Sequence, residues 1–242
     1  MAAVRAGGHN APVARRGDRR EAVAQAWDVE YAAGRYRDEP PLPFVADILA
    51  AAREHDLLGA EGLYIGCGNG RNYLPMVEGG LDLVGLDISA AALSQLAGRA
   101  PERGRRLIHG DLRALPTSAS YPLVIGIQVF QHGDRATAHE HIEAAQARLA
   151  DGGLFCLRVN AVGTELEYQH DVIERDRDRG FTVRYRAGPK RGLPIHFFAA
   201  SELDALFAGY EAVLRPRIAQ TWRSPPARGQ WSQWEAIYRK PV

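Results

Sequence analysis

Gly62-Leu63-Tyr64-Ile65-Gly66-Cys67-Gly68-Asn69-Gly70-Arg71-Asn72 is followed by Leu83-Val84-Gly85-Leu86-Asp87-Ile88-Ser89. An apolar run enters a glycine-rich turn, a helical stretch follows, and a second apolar run ends in a carboxylate. This order describes a β-α-β unit that holds a nucleoside. Gly66, Gly68 and Gly70 let the backbone turn sharply and let a ligand approach where a Cβ would collide. Asp87, closing the second strand, stands where it can accept hydrogen bonds from both hydroxyls of a ribose.

The glycine spacing selects the nucleoside. The dinucleotide fingerprint is G-x-G-x-x-G, with a pyrophosphate on the following helix N-terminus. Here the spacing is G-x-G-x-G, and Arg71 stands where that fingerprint has its third glycine. With Asp87 following at the end of the next strand, this compact form resembles the class I S-adenosylmethionine-dependent methyltransferases, whose ligand has no phosphate to cradle. The string Cys67 to Asn72 is similar to the tellurite-resistance and thiopurine methyltransferase-like branches. A third element, Leu107-Ile108-His109-Gly110-Asp111-Leu112, reads as a short strand ending in a polar turn. The resemblance implies that Asp111 bonds the adenine amino group and the Leu112 amide a ring nitrogen. It also implies that Asp87 and Ile88 meet the ribose, and that Gly66, Cys67, Gly68 and Asn72 back the methionine moiety.

The fold expected is α/β and Rossmann-like: a seven-stranded, mostly parallel sheet, helices on both faces, and a terminal antiparallel hairpin. Helices are expected over 21–36, 43–55, 71–78, 89–98 and 134–150. Strands are expected over 62–65, 82–86, 105–109, 122–127 and 153–159, then 210–221 and 231–239. Alternation of strands with helices calls for parallel pairing and right-handed crossovers. Asp151-Gly152-Gly153 reads as the stop of the long helix, and Ser201 as the N-cap of a later one. Residues 1–20 read as a flexible tail before a single domain over 21–242. Within it, 21–58 form an N-terminal helical lid, and about 164–196 a substrate-side insertion with two short strands.

Composition narrows the function classes. The chain has 242 residues, 46% hydrophobic and 24% charged, with a net charge of +1. No global field attracts nucleic acid or a membrane, and no run approaches the about 20 apolar residues of a membrane span. The two cysteines, Cys67 and Cys156, suggest no disulfide framework. The expected setting is cytoplasmic, as a monomer or homodimer, with a small-molecule substrate. No residue is singled out as a metal ligand.

Methyl transfer is an in-line displacement at carbon, so the protein mainly aligns the reactants and removes water. Trp27 and Tyr31, four apart before the first strand, match the aromatic pair with which thiopurine methyltransferase-like proteins cover the methionine end of the cofactor. Tyr36 follows as a third aromatic. A sulfonium gains about 0.5–2 kcal/mol over such faces. Gln128, at the carboxyl end of the fourth strand, is expected near the sulfonium. His132 follows at the mouth and is a candidate general base, with His196 a second. Arg158, Tyr168, Arg184 and Lys190 are candidate substrate contacts, suited to an anionic acceptor.

Two departures from the family pattern stand out. Tyr64 replaces an acidic residue that many class I enzymes place near the cofactor amino group, and Pro122 replaces the usual Asp opening the fourth strand. The function expected is methyl transfer from S-adenosylmethionine to a small molecule, to oxygen first, then nitrogen or sulfur. The rivals are an NAD(P)-dependent oxidoreductase, against which the glycine spacing argues, and a cofactor-binding partner subunit without catalysis of its own.

Overall fold

In the computed structural model, residues 16–225 and 227–242 are described, with side chains from Glu21 onward. Glycine turns and alternating apolar residues build a parallel core: β1 (Glu61–Ile65), β2 (Asp82–Asp87), β3 (Leu107–His109), β4 (Tyr121–Ile127) and β5 (Leu149–Asn160). The hairpin of β9 (Glu211–Trp222) and β10 (Gln230–Arg239) closes the sheet. Strand order is β3-β2-β1-β4-β5-β10-β9, with β10 antiparallel to both its neighbours. The chain runs outward from β1 through β2 to β3, then returns to pair β4 on the other side of β1. That reversal opens a crevice beyond the carboxyl ends of β1 and β4, where ligands of open parallel sheets bind.

Period-2 alternation distributes the core over two faces. Leu63, Val124, Phe155 and Leu157 pack on one face, while Tyr64, Leu123, Ile125 and Cys156 pack on the other. The first face is covered by α5 (Arg135–Gln146) and α6 (Ala200–Leu206), the second by α2 (Phe44–Glu54), α3 (Tyr73–Glu78) and α4 (Ala90–Arg99). Each fully buried Leu or Phe contributes about 1.5–3 kcal/mol. Gly126 is dictated by packing: a Cβ there would collide with the ring of Phe130, which folds back over β4 onto Phe155.

Several boundaries differ from expectation. Helix α1 (Arg16–Ala32) begins inside the expected tail, and residues 1–15 lie outside the described residues. The expected strand at 105–109 is preceded by a 3-10 turn, Pro101–Arg106, which shortens it to three residues. Helix α5 ends at Gln146, and Asp151-Gly152-Gly153 lies inside β5. The pair of glycines accommodates a register shift against β4 there rather than ending a helix. The insertion forms three antiparallel strands, not two: β6 (His170–Asp176), β7 (Gly180–Tyr185) and β8 (Pro194–Phe197). Ser201 does not cap α6; its hydroxyl donates to Asp178 O, and Glu202 accepts from the Ala199 amide instead.

Helix α1 docks through one carboxylate. Asp28 Oδ1 accepts from Ser89 Oγ at 2.6 Å and from Ala91 N at 3.0 Å, at the start of α4. The Ser89 hydroxyl holds the Asp28 carboxyl below its ordinary value, and negative charge is favoured at a helix N-terminus. Asp28→Ala should therefore cost about 1 kcal/mol in urea denaturation at neutral pH. The difference from wild type should vanish as pH falls through the lowered Asp28 value, since only the ionised form gains from these donors.

Candidate active site

The glycine loop leaves β1 with Gly66, Gly68 and Gly70 at φ of 71°, 58° and 91°. Gly66 N donates to Leu86 O at 2.7 Å, which lashes the turn to β2. Asp87, only 7% exposed, accepts from Gly68 N at 2.7 Å and from Ser89 N at 2.8 Å. Burial raises its pKa, and the two amide donors oppose that rise. Each carboxylate oxygen keeps a lone pair for a further donor. Tyr31, 8% exposed, packs its hydroxyl against Gly68, where a Cβ would stand 2.5 Å from it. Helix α1 therefore covers the glycine loop beside Asp87, and Gln95 Nε2 donating to Tyr31 O at 2.8 Å fastens that cover.

Two loop residues serve differently from expectation. The Cys67 thiol is buried against Gly85, and burial pushes its pKa well up, so only its backbone faces the loop. Asn72 accepts from Leu42 N at 2.9 Å, tying α3 to the segment before α2. Tyr64 turns into the core beside Asn72 and Tyr73.

Beyond the sheet end lies a cleft of about 720 Å³ whose walls include Arg35, Tyr36, Arg71, Gln128, Arg158 and Gln233. Tyr36 and Gln128 both adopt the left-handed region, at φ of 60° and 57°. Such strain in non-glycine residues gathers at functional sites. The guanidinium groups of Arg35 and Arg71 lie over the Tyr36 ring, 4.9 and 5.4 Å from its centroid. Arg158 is 2% exposed; its Nε and one terminal nitrogen make no hydrogen bond, and that terminal nitrogen stands 3.5 Å from Glu235. Burial lowers its pKa, partly offset by Glu235.

A second polar group adjoins the exit of β4. Lys190 Nζ lies 3.3 Å from the centroid of the Trp27 ring and makes no hydrogen bond. Burial lowers its pKa to about 8 against the pull of Glu30. His132 stands edge-on to Trp27 at 5.4 Å. Its ring nitrogens make no well-formed hydrogen bond, with only a weak approach to the Gln128 backbone, and burial lowers its pKa to about 3. Gln131 Oε1 and Arg35 Nε are buried and unpartnered as well. Buried polar groups are nearly always satisfied, so this concentration around one sheet edge marks a site for a polar ligand.

Other expected residues fall elsewhere. His196 is fully buried between Thr182 and Glu202, with no exposed face for an acceptor to reach, which argues against its reading as a catalyst. Tyr168, just before β6, and Arg184, on β7, are exposed and do not line the cleft. Asp111 caps the turn after β3 and pairs with Arg113, while Ile88 O meets His109 at 3.1 Å. Leu112 follows Asp111 in that turn. Arg35, Arg71, Gln131 and Gln233 were not singled out from sequence. The alternation along β10 does put Trp231 and Gln233 on one face, and that face borders the cleft.

Residues 63–153 match the family model described as a methyltransferase domain. The match runs from β1 into β5 and includes the glycine loop and Asp87. Its fold agrees with 1,6-didemethyltoxoflavin-N1-methyltransferase from Burkholderia thailandensis, solved with bound 1,6-didemethyltoxoflavin and S-adenosylhomocysteine. That likeness has a TM-score of 0.65 at 18% identity, over 96% of this chain and 93% of the other. Magnesium protoporphyrin IX methyltransferase from Synechocystis PCC 6803, with bound SAM, matches at 0.62 and 16% identity, over 96% and 99%. The amino pentose methyltransferase CalS10 from Micromonospora echinaspora matches at 0.53 and 22% identity, over 85% and 96%. No curated protein sequence matches the chain. The recognition of class I methyltransferases from the glycine loop is thus borne out, while nothing singles out the tellurite-resistance or thiopurine-like branch within them. Among the described residues, no helix is long and apolar enough to cross a membrane.

The Gly68–Tyr31 contact is testable. Gly68→Ala should destabilise by roughly 2–3 kcal/mol, about 1–2 of it from left-handed backbone and the rest from displacing Tyr31. Adding Tyr31→Phe, which removes the hydroxyl, should recover the steric part alone in a urea-denaturation double-mutant cycle.

Proposed function

We propose that this chain transfers a methyl group from S-adenosylmethionine to a small, anionic acceptor, with oxygen the preferred nucleophile. The observation that carries the reading is the set of unpartnered buried polar atoms on Arg35, Gln131, His132, Arg158 and Lys190 around the switch point of the sheet. The fit to the cofactor rests on three features: the left-handed glycine turn from Gly66 to Gly70, the spare lone pairs of Asp87, and the aromatic cover of Trp27, Tyr31 and Tyr36. The likeness to domains solved with SAM or S-adenosylhomocysteine supports the same donor.

When bound, S-adenosylmethionine supplies an electrophilic methyl on a sulfonium. Asp87 would hold the ribose, Gly66 to Gly70 the methionine side, and Asp111 with the Leu112 amide the adenine. Arg158, with Arg71 beside it, binds a carboxylate in the cleft through a charge-assisted pair. Lys190 takes the acceptor proton. His132, neutral down to about pH 3, is too weak a base near neutrality; it shapes the wall beside Trp27.

Calorimetric titration with S-adenosylmethionine and S-adenosylhomocysteine should give micromolar binding, weakened roughly 10- to 100-fold in Asp87→Ala, the size of charge-assisted bonds lost. Absence of binding to wild type would sink the reading. Arg158→Met should raise the KM of the acceptor while leaving cofactor affinity unchanged; the reverse pattern assigns the carboxylate to the cofactor's methionine.

The pH profile tests Lys190 separately. A base must be unprotonated to act, so kcat should rise with pH and level off above about 8. Lys190→Met should lower kcat by about 100-fold and erase that limb. A flat wild-type profile from pH 6.5 to 9 would remove Lys190 from proton transfer.

A further inference from the structure

Behind the active-site loop, on the far side of β8, three potential metal-binding side chains from three elements meet. His139 comes from α5, His196 from β8 and Glu202 from α6. His196 Nε2 lies 3.0 and 3.1 Å from the two Glu202 oxygens, and His139 Nε2 lies 2.5 Å from Oε1. The side chains of His196 and Glu202 are 0% and 1% exposed, whereas His139 is 25% exposed. One donor atom from each residue lies within 4.8 Å of the others.

Proton placement shows what the cluster is arranged for. Thr182 Oγ1 donates to Glu174 Oε2 at 2.7 Å, and Glu174 also accepts from Arg135 N at 3.0 Å. The Thr182 proton is thereby committed, so the 2.9 Å contact with His196 Nδ1 has the imidazole as donor. That fixes the tautomer: neutral His196 then directs an Nε2 lone pair at an anionic carboxylate. Only a second ring proton or a cation between them makes this arrangement favourable. A ligating histidine whose other nitrogen is held by a hydrogen bond is the usual setting of a metal-bound imidazole. Two histidines and one carboxylate, with a fourth position left for water, form a known zinc ligand set.

We propose that His139, His196 and Glu202 bind one divalent transition-metal ion, zinc in the first instance, and that the ion pins the small sheet to α5 and α6. Tetrahedral zinc with ligands near 2.0–2.2 Å needs ligand separations of about 3.3 Å. The two separations to Glu202, 2.5 and 3.0 Å, reach that by opening less than about an ångström, and the two histidine nitrogens lie within 4.8 Å of each other. The partly exposed edge of His139 gives the ion its route in. The site takes no part in methyl transfer. Its effect passes through backbone: His196 N donates to Gln131 O at 2.9 Å, and Ile195 bridges to His132, so the ion steadies the loop that carries both.

The test uses the full chain, stripped with a chelator and dialysed, then titrated with zinc chloride by calorimetry at one pH. The expected result is one ion per chain with a micromolar or tighter Kd, and a rise in Tm that chelator reverses. His139→Ala, at the exposed edge, should keep the fold and weaken binding at least 100-fold. Cobalt should give visible d–d absorption typical of tetrahedral coordination in wild type and not in that variant. Stoichiometric binding left intact by His139→Ala would overturn the proposal, because the ion would then sit elsewhere. No binding to wild type, or a Tm indifferent to zinc, would reduce the cluster to an ion-paired hydrogen-bond network and also overturn it. None of these readouts depends on methyl transfer.

Discussion

The Asp87 carboxylate fixes two things at once. One oxygen takes the Gly68 amide and the other the Ser89 amide, so the curvature of the glycine loop and the start of α4 refer to a single side chain. Parallel register between β1 and β2, with Ile65 opposite Leu86, brings that carboxylate to the loop. Burial works against its charge, and so does the nearby Asp28 carboxylate. The two amides and the N-terminus of α4 repay the cost. An apolar isostere could fill the space of Asp87, but it would leave both amides without acceptors in a nearly closed site.

Helix α1 joins the two halves of the site because its successive faces meet different partners. Asp28 and Tyr31 address α4 and the glycine loop. Trp27 faces the other way, under the Lys190 ammonium and beside His132. Val29 and Glu30 border the cleft. A cation over a desolvated indole face contributes about 2 kcal/mol at most, so this contact alone would not hold the helix. Together with the Asp28 and Gln95 hydrogen bonds, it lets one helix register the nucleoside side against the insertion side. A rotation that broke the Asp28 pair would shift Trp27 as well.

Local patterns made the β-α-β unit legible: glycines at fixed spacing, period-2 runs and a terminal carboxylate are all read within about thirty residues. Arg158 and Gln128 were legible for the same reason, since strand ends of an open sheet define the ligand edge. What escaped were features that depend on distant partners. Asp151-Gly152-Gly153 has the composition of a helix stop, yet β4 pairs across it and keeps it in the strand. Strands β6 and β7 carry many exposed charges, and their pairing shows only when the Gly180 turn is formed. Arg35 and Arg71 become cleft residues because the 33–42 segment folds back over the glycine loop, held by Leu42 on Asn72. The apolar neighbours of His196 mark the interior, and its partner Glu202, in the first turn of the next helix, shows only once α6 packs there.

The loop after β4 lies between two polar clusters of opposite character. On one side, Glu202 lies within contact distance of both histidine rings and accepts from the Ala199 amide, and Thr182 joins His196 to Glu174. On the other, Gln131, His132, Lys190 and Arg158 hold buried atoms without hydrogen-bond partners. Each such group costs about 1–3 kcal/mol of desolvation, which the Trp27 face under Lys190 and Glu235 beside Arg158 offset only in part. Stability must therefore come from the saturated side and from the core. Phe130, seated over Gly126 and stacked on Phe155, anchors the loop between them. With that anchor in place, Gln128 can be held at a φ of 57° on the cleft wall while Gln131 and His132 stay buried and unpaired beside it. Filling the space over Gly126 would release Phe130, let Gln128 relax, and allow the unpaired groups to find water, so the readiness of the site rests on a residue that has no side chain.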